Sequence, residues 1–192
     1  MNINPVGKSP FLIYLIKFIG IFSILFYGTI GFIGLTAPGG YYSPLFDHYL
    51  NYVSWLRSSL LYGAKFVVSI AGFDTQVKNI YTLAVPDGRG VHVGYDCLGY
   101  GVLSFWVAFI IANSGERIKK IKWLAGGMVA IWCINVLRIA ILLIAINQQW
   151  HAAFGFDHHT WFNIAAYTFI FTGIYFYDKS IKRPTKMPDA RP

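Results

Sequence analysis

Four apolar runs decide what this chain can fold into. They lie at about 11–35, 97–113, 122–147 and 161–178, and the second reaches back through Gly94 and Tyr95. Each approaches the roughly 20 residues that carry a helix across a bilayer. Composition agrees: hydrophobic residues make up 56% of the chain and aromatics 18%, while charged residues are only 12%, against about a quarter in soluble domains. Mean hydropathy is +0.50. A fifth stretch, 49–72, is apolar but carries Arg57 and Lys65. It reads either as a further span or as an amphipathic helix lying at the outer interface. The expected fold class is an all-α integral membrane protein, a bundle of about 4–5 transmembrane helices with a small extracytoplasmic β-hairpin. The 192 residues form one membrane domain. It divides into an N-terminal part (1–78), a core (79–178) and a basic tail (179–192).

The net charge of +8 admits nucleic acid in principle. The basic residues instead cluster where apolar runs end, the pattern that orients helices in a membrane, so no nucleic-acid partner is expected. "SGERIKKIK" (114–122) and the tail after Tyr177 are rich in Lys and Arg, whereas "QQWHAAFGFDHH" (148–159) has neither. The positive-inside rule puts the first two in the cytoplasm and the third outside. The run 97–113 then descends inward with Cys97 at its outer end. With the N-terminus cytoplasmic, residues 36–96 start and end outside, which favours the interfacial reading of 49–72. Alternation around the turn "PDGRG" makes 79–96 a β-hairpin, with Ile80, Thr82 and Ala84 on one strand and Val91, Val93 and Tyr95 on the other. Phe11 to Leu35 is too long for a signal-peptide core and reads as an uncleaved span.

Two cysteines, Cys97 and Cys133, give neither a disulfide framework nor a Cys-x-x-Cys metal pair. Cys133 reads as a small core residue. Cys97 stands with Arg138 and the pair His158/His159 at one side of the membrane. A lone Cys can be structural, an Arg near a membrane end can snorkel to headgroups, and histidines in an outer loop can be merely solvated. Arg138 resists the plain explanation. It is set in "WCINVLRIAILLIA", roughly 24 Å from the basic loop at 1.5 Å per residue, and a cation at depth is costly unless it is paired or functional. Asn135 lies one turn earlier on the same face. Together these groups suit thiol acyl transfer. A thiolate attacks, a His takes the proton, and an always-charged guanidinium stabilises the oxyanion. Asp96 reads as a cap on the span, and His92 as a surface residue on a strand. Tyr41, Tyr42, Trp55, Trp150, Trp161, Tyr175 and Tyr177 read as an aromatic belt.

The ordered set "YDCLGYG", "NVLRI" and "HHTWFNIAAY" resembles the exosortase/archaeosortase family of membrane cysteine transpeptidases over roughly residues 79–178. The resemblance implies a cofactor-free enzyme of the cytoplasmic membrane with its site on the extracytoplasmic face. Its partner would be the C-terminal sorting signal of an exported protein: a motif, a hydrophobic span and a basic end. An unknown acyl acceptor and membrane lipid complete the partners. By position Cys97 would be the nucleophile, His159 (alternatively His158) the acid/base, and Arg138 the group that steadies substrate or oxyanion. Asn135, Asp96 and Asn163 would support them. His159 is preferred because Asn163 and Tyr167 then fall where the family tends to have a small residue and an aromatic. The sequence departs from the family's frequent Cys-Ser-Gly with Cys97-Leu98-Gly99, and from its Gly-Trp with Asn163-Ile164. Two rival readings stay open: a small transporter component, and a non-catalytic assembly or export factor with a structural Cys97. Both tolerate Cys97→Ser, whereas an enzyme does not.

Overall fold

The computed structural model describes residues 9–37, 40–150 and 158–182, with backbone alone at 158–162 and 182. Among these are six α-helices, α1 (Pro10–Thr36), α2 (Pro44–Leu50), α3 (Tyr52–Ile70), α4 (Tyr100–Ala112), α5 (Arg117–Asn147) and α6 (His158–Lys182). Three strands lie between α3 and α4: β1 (Gln76–Asn79), β2 (Thr82–Ala84) and β3 (Gly90–His92). Two helices, α1 and α5, are long and apolar enough to cross a membrane; α4 is apolar but shorter.

Local chemistry sets the helix ends. Ser9 accepts from the Leu12 N–H ahead of Pro10, and Asn51 Oδ1 accepts from the Ser54 N–H at the start of α3, which satisfies donors a helix start leaves open. At the far end of α4, Lys120 Nζ donates to the carbonyls of Ile111 (2.9 Å) and Asn113 (2.7 Å), placing a cation on the negative helix end.

Contacts fix the helix directions. Phe18 meets Phe105 and Phe26 meets Tyr100, so α1 and α4 run oppositely. The Trp106 indole donates to the Trp123 carbonyl while Asn135 reaches Leu98, so α4 and α5 run oppositely. Trp123 packs on Tyr177 while Ala166 lies by Ile131 and Asn135, which reverses α6 again. The alternation gives the bundle two ends. One holds the start of α1, the α4–α5 connection and the end of α6, with Arg117, Lys119, Lys120, Lys122 and Lys179 against Glu116 and Asp178. The other holds the sheet, Cys97, the end of α5 and the start of α6.

The basic end is packed without slack. Trp106 and Tyr177 are both 1% exposed, and a Cβ on Gly127 would collide with the Trp106 ring. Tyr177 is therefore core, not part of an aromatic belt. Cys133, expected in the core, is instead exposed on α5. In a membrane chain both a helix contact and a lipid-facing surface are apolar, so hydropathy does not separate them.

The strand region is larger than a hairpin. β1, β2 and β3 form one antiparallel sheet in that order. The β2–β3 hairpin around the expected turn is present, pairing Leu83 with Val91. Val91, Val93 and Ala84 of the expected set are buried, whereas on the first strand Leu83 is fully buried and Ile80 is 55% exposed. Tyr95 leaves the strand for a 3₁₀ turn, Tyr95–Leu98. Asn147 at the end of α5 clamps the hairpin, accepting from the Arg89 N–H (2.9 Å) and donating to the Arg89 carbonyl (3.2 Å).

The stretch 49–72 becomes α2's last residues and α3. Val53, Arg57, Leu60, Leu61, Ala64 and Val68 of α3 are buried. α3 packs along α5, and Trp132 Nε1 donates to Ser59 Oγ at 3.0 Å. Arg57, one of the two charges that favoured an interfacial helix, is only 2% exposed.

Candidate active site

Cys97 does not open α4. It sits in the 3₁₀ turn, with its N–H donating to the Gly94 carbonyl at 3.1 Å. Gly99 then breaks the chain in the left-handed region (φ 70°) before α4 begins. A side chain at 99 is excluded twice: the backbone conformation strains an L residue, and a Cβ would strike Asn135 Nδ2. Cys97 therefore lies outside α4. Asp96 is exposed and makes no capping hydrogen bond at either the 3₁₀ turn or α4, so its expected capping role is not met.

The turn aims Cys97 at α5. Arg138 Nη2 donates to Cys97 Sγ at 3.3 Å across 41 residues of sequence, within the longer reach of a hydrogen bond to sulfur. One turn earlier, buried Asn135 donates to the Leu98 carbonyl at 3.4 Å, while its Oδ1 is buried without a hydrogen-bond partner among the described residues. Arg138 thus meets the sulfur and Asn135 the backbone beside it, from one face of α5.

Cys97 and Arg138 share a cavity of about 210 Å³. β3 and its continuation, residues 90–93, form one wall, and Ile139, Leu142 and Ile146 of α5 form the other. His92 lines this cavity, stacked on Tyr81 with ring centroids 5.7 Å apart. His92 is exposed on its strand, as expected, and it also faces this cavity. The register Thr82↔His92 and the short link from His92 to Cys97 carry it there.

The histidine pair opens α6, and its side chains lie outside the described residues. Asn163 is exposed on α6. No group of three or more His, Cys, Asp or Glu side chains is placed to hold a metal among the described residues.

A family model described as transmembrane exosortase matches residues 14–176. The chain belongs to the transmembrane exosortase family. The match takes in α1 to α3 as well as the core, so the N-terminal third of this exosortase is part of the family pattern and not only an apolar preface. Comparison with curated proteins and with solved structures gives no match. Family membership and the two long apolar helices make this exosortase a membrane protein.

Proposed function

We propose that this exosortase is a cysteine transpeptidase. It cleaves the C-terminal sorting signal of exported proteins at the outer face of the cytoplasmic membrane and transfers the new acyl end to a surface acceptor. The observation that carries the reading is the Arg138–Cys97 contact inside an open cavity, at the end of the bundle away from the basic loop. The charge asymmetry supports the orientation, since a basic end faces the cytoplasm.

The chemistry follows from groups at hand. The Cys97 thiol gives its proton to His159, and Sγ bonds to the scissile carbonyl carbon. The carbonyl oxygen becomes an oxyanion that Arg138 stabilises with N–H groups fixed in advance. The C–N bond then breaks, and the leaving amine takes the proton back from His159. The acceptor attacks the thioester and releases the Cys97 thiol; water in its place gives hydrolysis. Helical register favours His159 over His158. It lies seven residues before Ala166, on the same face of α6 as the residue beside Asn135. His92 is a second candidate base because it lines the cavity itself. Asn135 positions the 3₁₀ turn through its hydrogen bond to the Leu98 carbonyl.

The test is to replace Cys97 by Ala in the producing cell and sequence the C-termini of exported proteins by mass spectrometry. Proteins that keep an apolar, basic C-terminal segment in the variant, and lose it in the parent, support the reading. Unchanged processing refutes it and returns the assembly-factor or transporter reading.

A further inference from the structure

A second cavity, larger than the one at Cys97, lies between the end of α1, α2, the start of α3 and the sheet. Its volume is about 460 Å³. Arg57 lines it and is 2% exposed. Its guanidinium is held between two phenol rings, 4.3 Å from the Tyr81 centroid and 4.6 Å from the Tyr95 centroid. The rings supply some cation–π stabilisation, and the Tyr81 hydroxyl interacts with the guanidinium as well. Arg57 Nε and Nη2 are buried with no hydrogen-bond partner among the described residues. Two donors of a buried cation are thus left facing the cavity without a protein acceptor.

The acidic residue on the cavity wall does not complete it. Asp47 is engaged elsewhere, accepting from Tyr42 Oη at 2.9 Å and from Asn51 Nδ2 at 2.7 Å. The phenols do not compete as anions either. The hydrogen bond to Asp47 pushes Tyr42 up, and burial, with Tyr95 beside it, pushes Tyr81 up. An oxyanion entering through the cavity would meet both donors, and the surroundings say what carries it. Ile80 on the wall is 55% exposed, and Leu45 and Trp55, next to the lining residues, are each 61% exposed. Large apolar and aromatic side chains around a polar cavity suit the headgroup level of a bilayer.

We propose that this cavity is a binding site for an anionic phospholipid, with the headgroup phosphate received by Arg57 and the acyl chains lying over α2 and α3. The Nε–Nη2 edge of a guanidinium suits two oxygens of one phosphate. The Ser54 hydroxyl, on the same wall, offers a further donor. The site is separate from Cys97 and does not depend on the chemistry proposed for it.

The experiment uses the full chain purified in a neutral detergent and follows its thermal midpoint during titration with dihexanoyl phosphatidylglycerol. Dihexanoyl phosphatidylcholine and inorganic phosphate serve as probes of the source. The expected result is a saturable rise with phosphatidylglycerol and little response to the other two. Arg57→Met should weaken apparent affinity at least tenfold while leaving the lipid-free midpoint equal or higher. Asp47→Asn should tighten binding by removing a like charge. If Arg57→Met does not fold, Ser54→Phe, which fills the cavity and keeps the cation, should give the same loss. An undiminished response in Arg57→Met or in Ser54→Phe overturns the proposal. So does an equal response to phosphatidylcholine, which would show no recognition of net charge. An equal response to inorganic phosphate would make it a free-oxyanion site, and a response only to a short acidic peptide would make it a peptide site; either also overturns it.

Discussion

The two ends of the bundle are built to different standards. At the basic end, Trp106, Tyr177 and Gly127 fit against one another so closely that one added carbon would collide. At the other end, cavities of about 210 and 460 Å³ stand open. Asn135 and Arg57 keep buried polar atoms without a hydrogen-bond partner among the described residues there, as Tyr177 Oη does at the basic end, and the chain breaks into a 3₁₀ turn where an uninterrupted helix was expected. Close packing gives stability and a single arrangement. Open cavities leave room for a ligand or a substrate segment. One end is a clamp, and the other is where molecules are met.

That contrast can be broken or sharpened by substitution. Cys97→Ala should reduce processing of exported proteins by at least about 10³-fold, the scale of losing a nucleophile, with an unchanged thermal midpoint. His159→Ala should cost about 10²–10⁴-fold and His92→Ala almost nothing; the reverse order would move the base from α6 to the sheet. Arg138→Ala should cost about 10²–10³-fold in rate, the usual loss of one oxyanion donor, with partial rescue by Lys. Asn135→Ala removes a long hydrogen bond and an unmet acceptor together, so its effect on stability should stay within about 1 kcal/mol. Processing should still fall, because the turn that aims Cys97 loses its brace. Gly127→Ala should behave oppositely, lowering stability by about 1–3 kcal/mol through overpacking and sparing the rate of whatever remains folded. If Gly127→Ala harms processing more than stability, the division between the ends fails.

Much of this was legible in the sequence, and the failures have physical reasons. The meeting of Cys97 with Arg138 could be anticipated, because apolar runs that alternate in direction return Arg138 to the level of Cys97. The β2–β3 hairpin followed from its turn. β1 was not visible, since a strand of 4 residues, Gln-Val-Lys-Asn, has too little pattern to declare a period. The burial of Arg57 could not be read from its own stretch, which admitted both a span and an interfacial helix. The two tyrosines that cover it come from the sheet and the 3₁₀ turn, and nothing in α3 announces them. Cys133 and Tyr177 were exchanged between core and surface for the reason already given: lipid and protein interior are alike apolar. Gly99 carried a signal that went unread, a glycine directly after the Cys97 turn and ahead of an apolar helix, which is where a left-handed residue is needed.

The most direct test of the central claim is labelling of intact cells with a membrane-impermeant thiol reagent, in a Cys133→Ala background so that Cys97 is the sole thiol. The account predicts labelling from outside, abolished by Cys97→Ser and altered in rate by Arg138→Ala. Labelling that requires the cytoplasmic face to be opened would contradict it, because the working end of the bundle would then face the wrong side of the membrane.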